Sequence, residues 1–254
     1  MSPALEGRVA LVTGAGRGIG EGIARACADA GASVAVVDRD AASADDAASQ
    51  ICDAGGDAAS FPCDVSDREQ VRSTVDQVVE RFGSLSVLVN NAQALRAEVS
   101  FVDHTVDDIE LAVNSGFWGT VHCMQAAFPH LRDSGAGRVV NLGSSAGTQG
   151  QRGLAGYAAA KEAIRGISRV AAREWGEFGI TVNVICPSAT SPGMLVWARE
   201  HPDLHAGFLA DRPIPRDGDA YTDIGPLVVF LAGDGSGFVT GETIMVNGGS
   251  ALRP

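Results

Sequence analysis

Basic side chains are scarce in this 254-residue chain, where 19 Lys and Arg stand against 31 Asp and Glu for a formal charge of −12. A surface that binds phosphates needs a basic patch, and the sequence shows none, which argues against nucleic acid or an anionic membrane as a partner. Cysteine is also sparse. Cys27, Cys52, Cys63, Cys123 and Cys186 are odd in number, widely spread and never in a Cys-x-x-Cys pair, so they read as reduced, small apolar residues and not as a disulfide framework or a zinc site. His104, His122, His130, His201 and His205 have no metal-like spacing and no accompanying carboxylate cluster. No apolar run reaches about 18 residues, and the stretch from Met1 to Arg8 lacks a basic region followed by a long apolar one. The expectation is a soluble, cytoplasmic protein.

What is present alternates. Strand-length apolar runs at Val9 to Thr13, Ser33 to Val37, Ala58 to Phe61, Val87 to Val89, Arg138 to Leu142, Thr181 to Ile185 and Thr243 to Val246 are separated by stretches of helical period, among them Gly20 to Ala30. Continuous Val/Ile/Leu strands between helices signal a parallel sheet covered on both faces. We therefore expect an α/β fold, a doubly wound parallel sheet forming one domain over residues 1–254. Ser66 to Glu69 and Thr105 to Asp108 carry the pattern of a helix start, a capping residue followed three positions later by an acid. The one long stretch of weak periodicity runs from Ser188 to about Thr222 and contains Pro192, Pro202, Pro213 and Pro215. It follows a strand end, where α/β proteins bind ligands, and reads as a substrate lid.

Directly after the first strand, Thr13 to Gly20 places Gly14, Gly16, Gly18 and Gly20 at the opening of a helix, with Arg17 and Ile19 between them. Glycines let backbone approach a pyrophosphate, which then rests on the positive end of the helix. Asp38 ends the next strand, 18 residues past Gly20, close to the position of an acid that binds an adenosine ribose hydroxyl. Its other reading is a turn residue. Arg17 would suit a 2′-phosphate, but two unit charges about 4 Å apart interact by roughly 4 kcal/mol at an effective dielectric of 20, so the Asp38 carboxylate disfavours a phosphate there. The expected cofactor is NAD.

Tyr157 and Lys161 lie four residues apart and share a helix face. A phenol beside a cation can be brought toward the pKa of a general acid or base at neutral pH. By itself the spacing also fits a half-buried Tyr and a solvated Lys on an amphipathic helix.

Thr13 to Gly20, Asp64-Val65, Asn90-Asn91-Ala92, Ser144, Tyr157-x-x-x-Lys161 and Asn247-Gly248-Gly249, in that order, resemble the classical short-chain dehydrogenase/reductase family over nearly the whole chain. The resemblance implies a Rossmann-like domain, usually a homotetramer or homodimer, that interconverts a secondary alcohol and a ketone with a nicotinamide cofactor. It implies Tyr157 as acid/base, Ser144 as the clamp on the substrate oxygen, and Lys161 on the nicotinamide ribose, lowering the Tyr157 pKa. Asp64 and Val65 would hold adenine, with Asn90 and Ala92 lining the cofactor; Asp64, Ser66 and Asn90 also fit plain turn, cap and strand-end roles. The alternative is a non-redox or regulatory NAD-binding relative with an altered site.

Three departures stand out. Gln93 replaces the family glycine after Asn90-Asn91-Ala92 and becomes a candidate substrate contact. Gly116 stands at the family catalytic Asn, with Asn114 two residues early and turned away unless the helix bulges; the gap should be filled by ordered water or by Gln93 reaching across. The usual Pro-Gly is Pro187-Ser188, and Thr190 or Ser191 would replace the Thr that contacts the cofactor carboxamide. Met194 and Trp197 are expected against an apolar substrate, and Trp118 with Phe117 in the core or a subunit contact.

Overall fold

The computed structural model describes residues 3–96, 98–189, 198–210 and 212–252 and, at residue 208, the backbone alone. Strands Val9–Thr13 (β1) and Ser33–Asp38 (β2) show how the sheet arises. Both are built of small and β-branched residues, and successive side chains of a strand point to opposite faces. Ala10, Val12, Val34 and Val36 accordingly pack into one buried cluster with Ile23 and Ile51. Val9, Leu11, Ala35 and Val37 pack into another with Val71, Val75 and Leu131. Strands apolar on both faces require helices on both, because either face left bare would expose that surface to water.

The chain continues through α1 (Gly18–Asp29), α2 (Ala41–Asp53), β3 (Asp57–Pro62), α3 (Arg68–Phe82), β4 (Val87–Asn90), α4 (Val106–Ala112), α5 (Gly119–Asp133), β5 (Arg138–Leu142), α6 (Ser145–Gln149), α7 (Ala155–Trp175), β6 (Thr181–Pro187), α8 (Pro202–Ala210), α9 (Gly225–Ala232) and β7 (Thr243–Val246). All seven strands fall where the apolar runs predict them. They form one parallel sheet in the order β3-β2-β1-β4-β5-β6-β7. The order reverses between β1 and β4, and the crevice above their carboxyl ends is where such a sheet binds ligands. Thr13 ties the two ends together: its Oγ1 accepts from the backbone N–H groups of Asn91 and Ala92, each at 3.0 Å.

Three local expectations need correction or refinement. The helix after β3 is capped by Asp67 and not Ser66, because the Asp67 carboxylate accepts from the N–H groups of Glu69 and Gln70. Ser66 instead donates to Asp64, by its N–H at 2.9 Å and its hydroxyl at 2.7 Å. Thr105 and Asp108 do form the expected reciprocal capping box. The weakly periodic segment 188–222 contains α8 and, from Ala220 to Ile224, a π-turn capped by Asp219. The segment is pinned where Ile214 donates to the Gly248 carbonyl at 3.0 Å and Arg216 pairs with Asp223. Between α4 and α5 the helix widens into a π-turn over Val113–Trp118.

Candidate active site

The site is assembled by strand ends and helix starts. At the end of β1 the chain turns through Gly14, with φ 62°, where a Cβ would lie 2.9 Å from the Ala92 Cα; only glycine fits. Helix α1 begins after Arg17, which supplies no side-chain cap, so the N–H groups of its first turn have no side-chain acceptor. Bare helix N–H groups behind a glycine turn are a fitting cradle for a dinucleotide pyrophosphate. Gly20 does not reach the crevice. A Cβ there would collide with the Gly14 carbonyl, so its glycine lets the helix pack on the turn.

One cavity of about 530 Å³ runs along this edge. Gly14, Arg17, Gly18, Ile19, Asp38, Asp64, Val65, Ala92, Gln93, Tyr157, Lys161 and Pro187, all singled out from the sequence, line it. Asn90 does not: it is buried at 4% exposure and its Nδ2 donates to Asn141 Oδ1 at 2.8 Å, its direct partner across β4 and β5. Asn91 takes the place at the wall, its amide donating to the carbonyls of Thr13 and Gly14. Thr190, Ser191, Met194 and Trp197 lie outside the described residues. Arg39, Ser115 and Leu142 line the cavity without having been singled out. For Arg39 the adjacent Asp38 was the available signal.

At the end of the cavity nearest β2, Asp38 accepts from the N–H of Gly16 at 3.0 Å through one oxygen and from the N–H of Asp40 at 3.1 Å through the other. Each carboxylate oxygen retains a second lone pair. Arg17 and Arg39 share this end.

At the other end, α7 presents Gly156, Ala160, Lys161, Ile164 and Ser168 on its buried face. Lys161 is the only lysine in the chain. It is 3% exposed, and its Nζ donates to the Leu142 carbonyl at the end of β5, 2.9 Å away. Burial disfavours its charged form and brings its pKa from 10.5 down to about 8. Tyr157, one turn earlier, hydrogen-bonds Ser144, whose Oγ also accepts from the Ala146 N–H at 3.1 Å. The Tyr157 pKa moves up and not down: burial raises it, the Ser144 bond offsets this in part, and the Cys186 thiol adds to the rise. Lys161 Nζ, held by the Leu142 carbonyl, lies over the Tyr157 ring, 5.5 Å from the centroid, yet burial outweighs the lowering expected from it.

The departures are resolved geometrically. The helix does bulge at Asn114, yet Asn114 remains exposed. Gly116 is buried, and Gln93 reaches across to cover it. Trp118 is 46% exposed and stacks on His122, so it is not a core residue. Among the described residues no three His, Cys, Asp or Glu side chains gather to hold a metal, and no helix is long and apolar enough to cross a membrane.

A family profile described as "Enoyl-(Acyl carrier protein) reductase" matches residues 14–251. The 12alpha-hydroxysteroid dehydrogenase of Clostridium sp. (strain ATCC 29733 / VPI C48-50) is 36% identical over 257 residues, 98% of each chain. The D-threitol dehydrogenase of Mycolicibacterium smegmatis is 36% identical over 256 residues, 98% of this chain and 95% of that protein. The crystal structure of NAD+-bound xylitol dehydrogenase superposes with a TM-score of 0.89 at 32% identity, over 96% of this chain and 99% of that one. The similar proteins are named for different alcohols, so similarity settles the scaffold and leaves the substrate open. With the sheet order, the glycine turn and the Tyr157–Lys161 pair in place, the chain belongs to the short-chain dehydrogenase/reductase family of oxidoreductases.

Proposed function

We propose that this protein is an NAD-dependent dehydrogenase that interconverts a secondary alcohol and a ketone. The observation that carries the reading is the single cavity that joins the glycine turn and Asp38 at one end to Tyr157 and Lys161 at the other. A bound nicotinamide dinucleotide would accept or return the hydride. The chain's own residues handle the proton. Ser144, already within hydrogen-bonding reach of Tyr157, orients the substrate oxygen beside the phenol. As the phenolate, Tyr157 takes the hydroxyl proton while the carbinol carbon gives up hydride, and as the phenol it returns a proton in reduction. With a pKa of about 8, Lys161 is still mostly protonated at neutral pH, and a buried cation favours the Tyr157 phenolate that forms when the phenol gives up its proton.

The preference for NAD follows from Asp38, whose carboxylate would accept from a ribose hydroxyl and repel a phosphate in the same place. Arg17 and Arg39 oppose it, so the ratio of the two cofactors tests the balance directly. We read the segment 188–222, with Met194 and Trp197, as the lid that sets substrate choice, and a homotetramer or homodimer in the cytoplasm as the working form. Trp118 and the fully exposed Phe238 are apolar surface such an assembly would cover. The decisive experiment is NADH absorbance from the purified protein with NAD and a panel of secondary alcohols; no reduction by any member, with NADH binding intact, would favour a non-redox relative.

A further inference from the structure

The cavity wall facing α7 contains a buried amide that the chemistry above does not use. Gln93 Nε2 donates to the carbonyls of Ala94 at 2.8 Å and Ala112 at 3.0 Å, so both of its N–H bonds are engaged. Its Oε1 is buried and has no hydrogen-bond partner among the described residues. The side chain is fixed by Gly116 beneath it, where an added Cβ would fall on Oε1 and lie 2.9 Å from Cδ and 3.0 Å from Nε2. Carboxamide and glycine therefore occupy one another's space. Ser115 locks the loop to the π-turn, accepting from the Ala94 N–H at 2.9 Å and donating to the Leu111 carbonyl at 2.7 Å.

Lys161 lines the same cavity and has the opposite need. An ammonium has three N–H donors, and among the described residues Lys161 spends one, on Leu142. A buried acceptor without a donor and a buried cation short of acceptors are both costly alone. A water between two such groups satisfies both where the cavity is polar and roomy enough to hold it.

We propose that Gln93 is a positioning residue for proton transfer: seated in the volume left by Gly116, its carboxamide offers Oε1 to a water that hydrates the Lys161 ammonium and connects it with the cavity. This rests on Tyr157 and Lys161 being the proton-transfer pair. The other titratable groups around Lys161 are Tyr157 on α7 and the Cys186 thiol from β6.

The test reads Lys161 without turnover. Because the chain has one lysine, protein labelled with [ε-13C]lysine gives a single side-chain resonance whose titration belongs to Lys161. Gln93→Leu should lower its midpoint by about one pH unit, and Gln93→Glu, which puts a carboxylate in the same place, should raise it by a similar amount. Gly116→Ala should lower it by displacing the amide, and Gln93→Gly with Gly116→Asn, which returns a carboxamide from the helix side, should restore it. A role in packing alone would change thermal stability and leave the midpoint where it was. Midpoints within a few tenths of a unit of the parent for both Gln93→Leu and Gln93→Glu overturn the proposal. Failure of the dehydrogenase reading would show separately, as absence of NADH formation in a protein whose Lys161 midpoint still responds to Gln93.

Discussion

Replacing Lys161 by methionine should flatten the dependence of stability on pH, in a direction and by an amount that the burial of this one side chain dictates. The folded-state pKa is about 8 and the unfolded value 10.5. Between those values the folded chain gives up a proton that the unfolded chain keeps, so stability rises with pH. Below pH 8 the buried charge carries its full penalty; above 10.5 the penalty is gone, a total of roughly 3 kcal/mol at about 1.4 kcal/mol per unit. Between pH 7 and pH 9 the wild type should gain stability, on the order of 1 kcal/mol, that the Met variant does not. The buried thiols act with the opposite sign: burial raises Cys27 to about 12 and raises Cys123 as well, so each loses stability as pH passes the unfolded value of 9. They are common to both proteins and cancel in the difference. Urea unfolding followed by the fluorescence of the three tryptophans, at one protein concentration, measures it. Parallel pH profiles for the two proteins would refute the argument, because they would mean that the Lys161 charge is solvated as well in the fold as in water.

NAD should be preferred to NADP by at least about tenfold in kcat/KM, about 1.4 kcal/mol, and Asp38→Ala should narrow the gap; equal values in the unmodified protein would remove Asp38 from the cofactor assignment. Tyr157→Phe should abolish turnover while leaving NADH affinity nearly unchanged, whereas Lys161→Ala should damage both. Retention by the Phe variant of more than about a tenth of kcat would place the proton transfer elsewhere. If segment 188–222 closes over the substrate, its hydrogen exchange should slow with NAD and substrate bound, and Trp197→Ala should raise KM for bulky ketones by a burial term of roughly 1.5 to 3 kcal/mol at most. Exchange equally slow with and without ligands would identify a fixed wall.

The fold was legible because its signals are local. A strand covered on both faces must be apolar at consecutive positions, and a helix opening onto an anion must start on glycine, so β1, the turn at Gly14 and α1 can be read in a single pass. Cavity-lining residues followed from the same logic: once strands are parallel, their carboxyl ends converge, and Asp38, Asp64 and Ala92 arrive at one edge whatever else the chain does. Asn90 and Asn91 mark where this reasoning ends. They are adjacent and chemically identical, Asn90 the last residue of β4 and Asn91 just past it, and only the partner strand decides between them. Register sets Asn90 against Asn141, whose amide passes the chain of hydrogen bonds on to Ser168 of α7, and Asn91 is left for the crevice.

The same principle explains the two polar residues that local reasoning placed least well. Four-residue spacing puts Lys161 on the side of Tyr157 but says nothing of depth, and depth reverses the expected electrostatics: a carbonyl at the end of β5 holds the ammonium over the ring, and desolvation lowers one pKa while raising the other. At 93 and 116 the sequence shows a long amide where a glycine was expected and a glycine where an amide was expected, 23 positions apart. Read separately they are two losses. The fold brings them into one volume, where the Gln93 amide bonds the Ala112 carbonyl just before the π-turn and only a residue without Cβ can lie beneath it. Each substitution therefore constrains the other, and the site must be judged by the group that occupies the space and not by the position that supplies it.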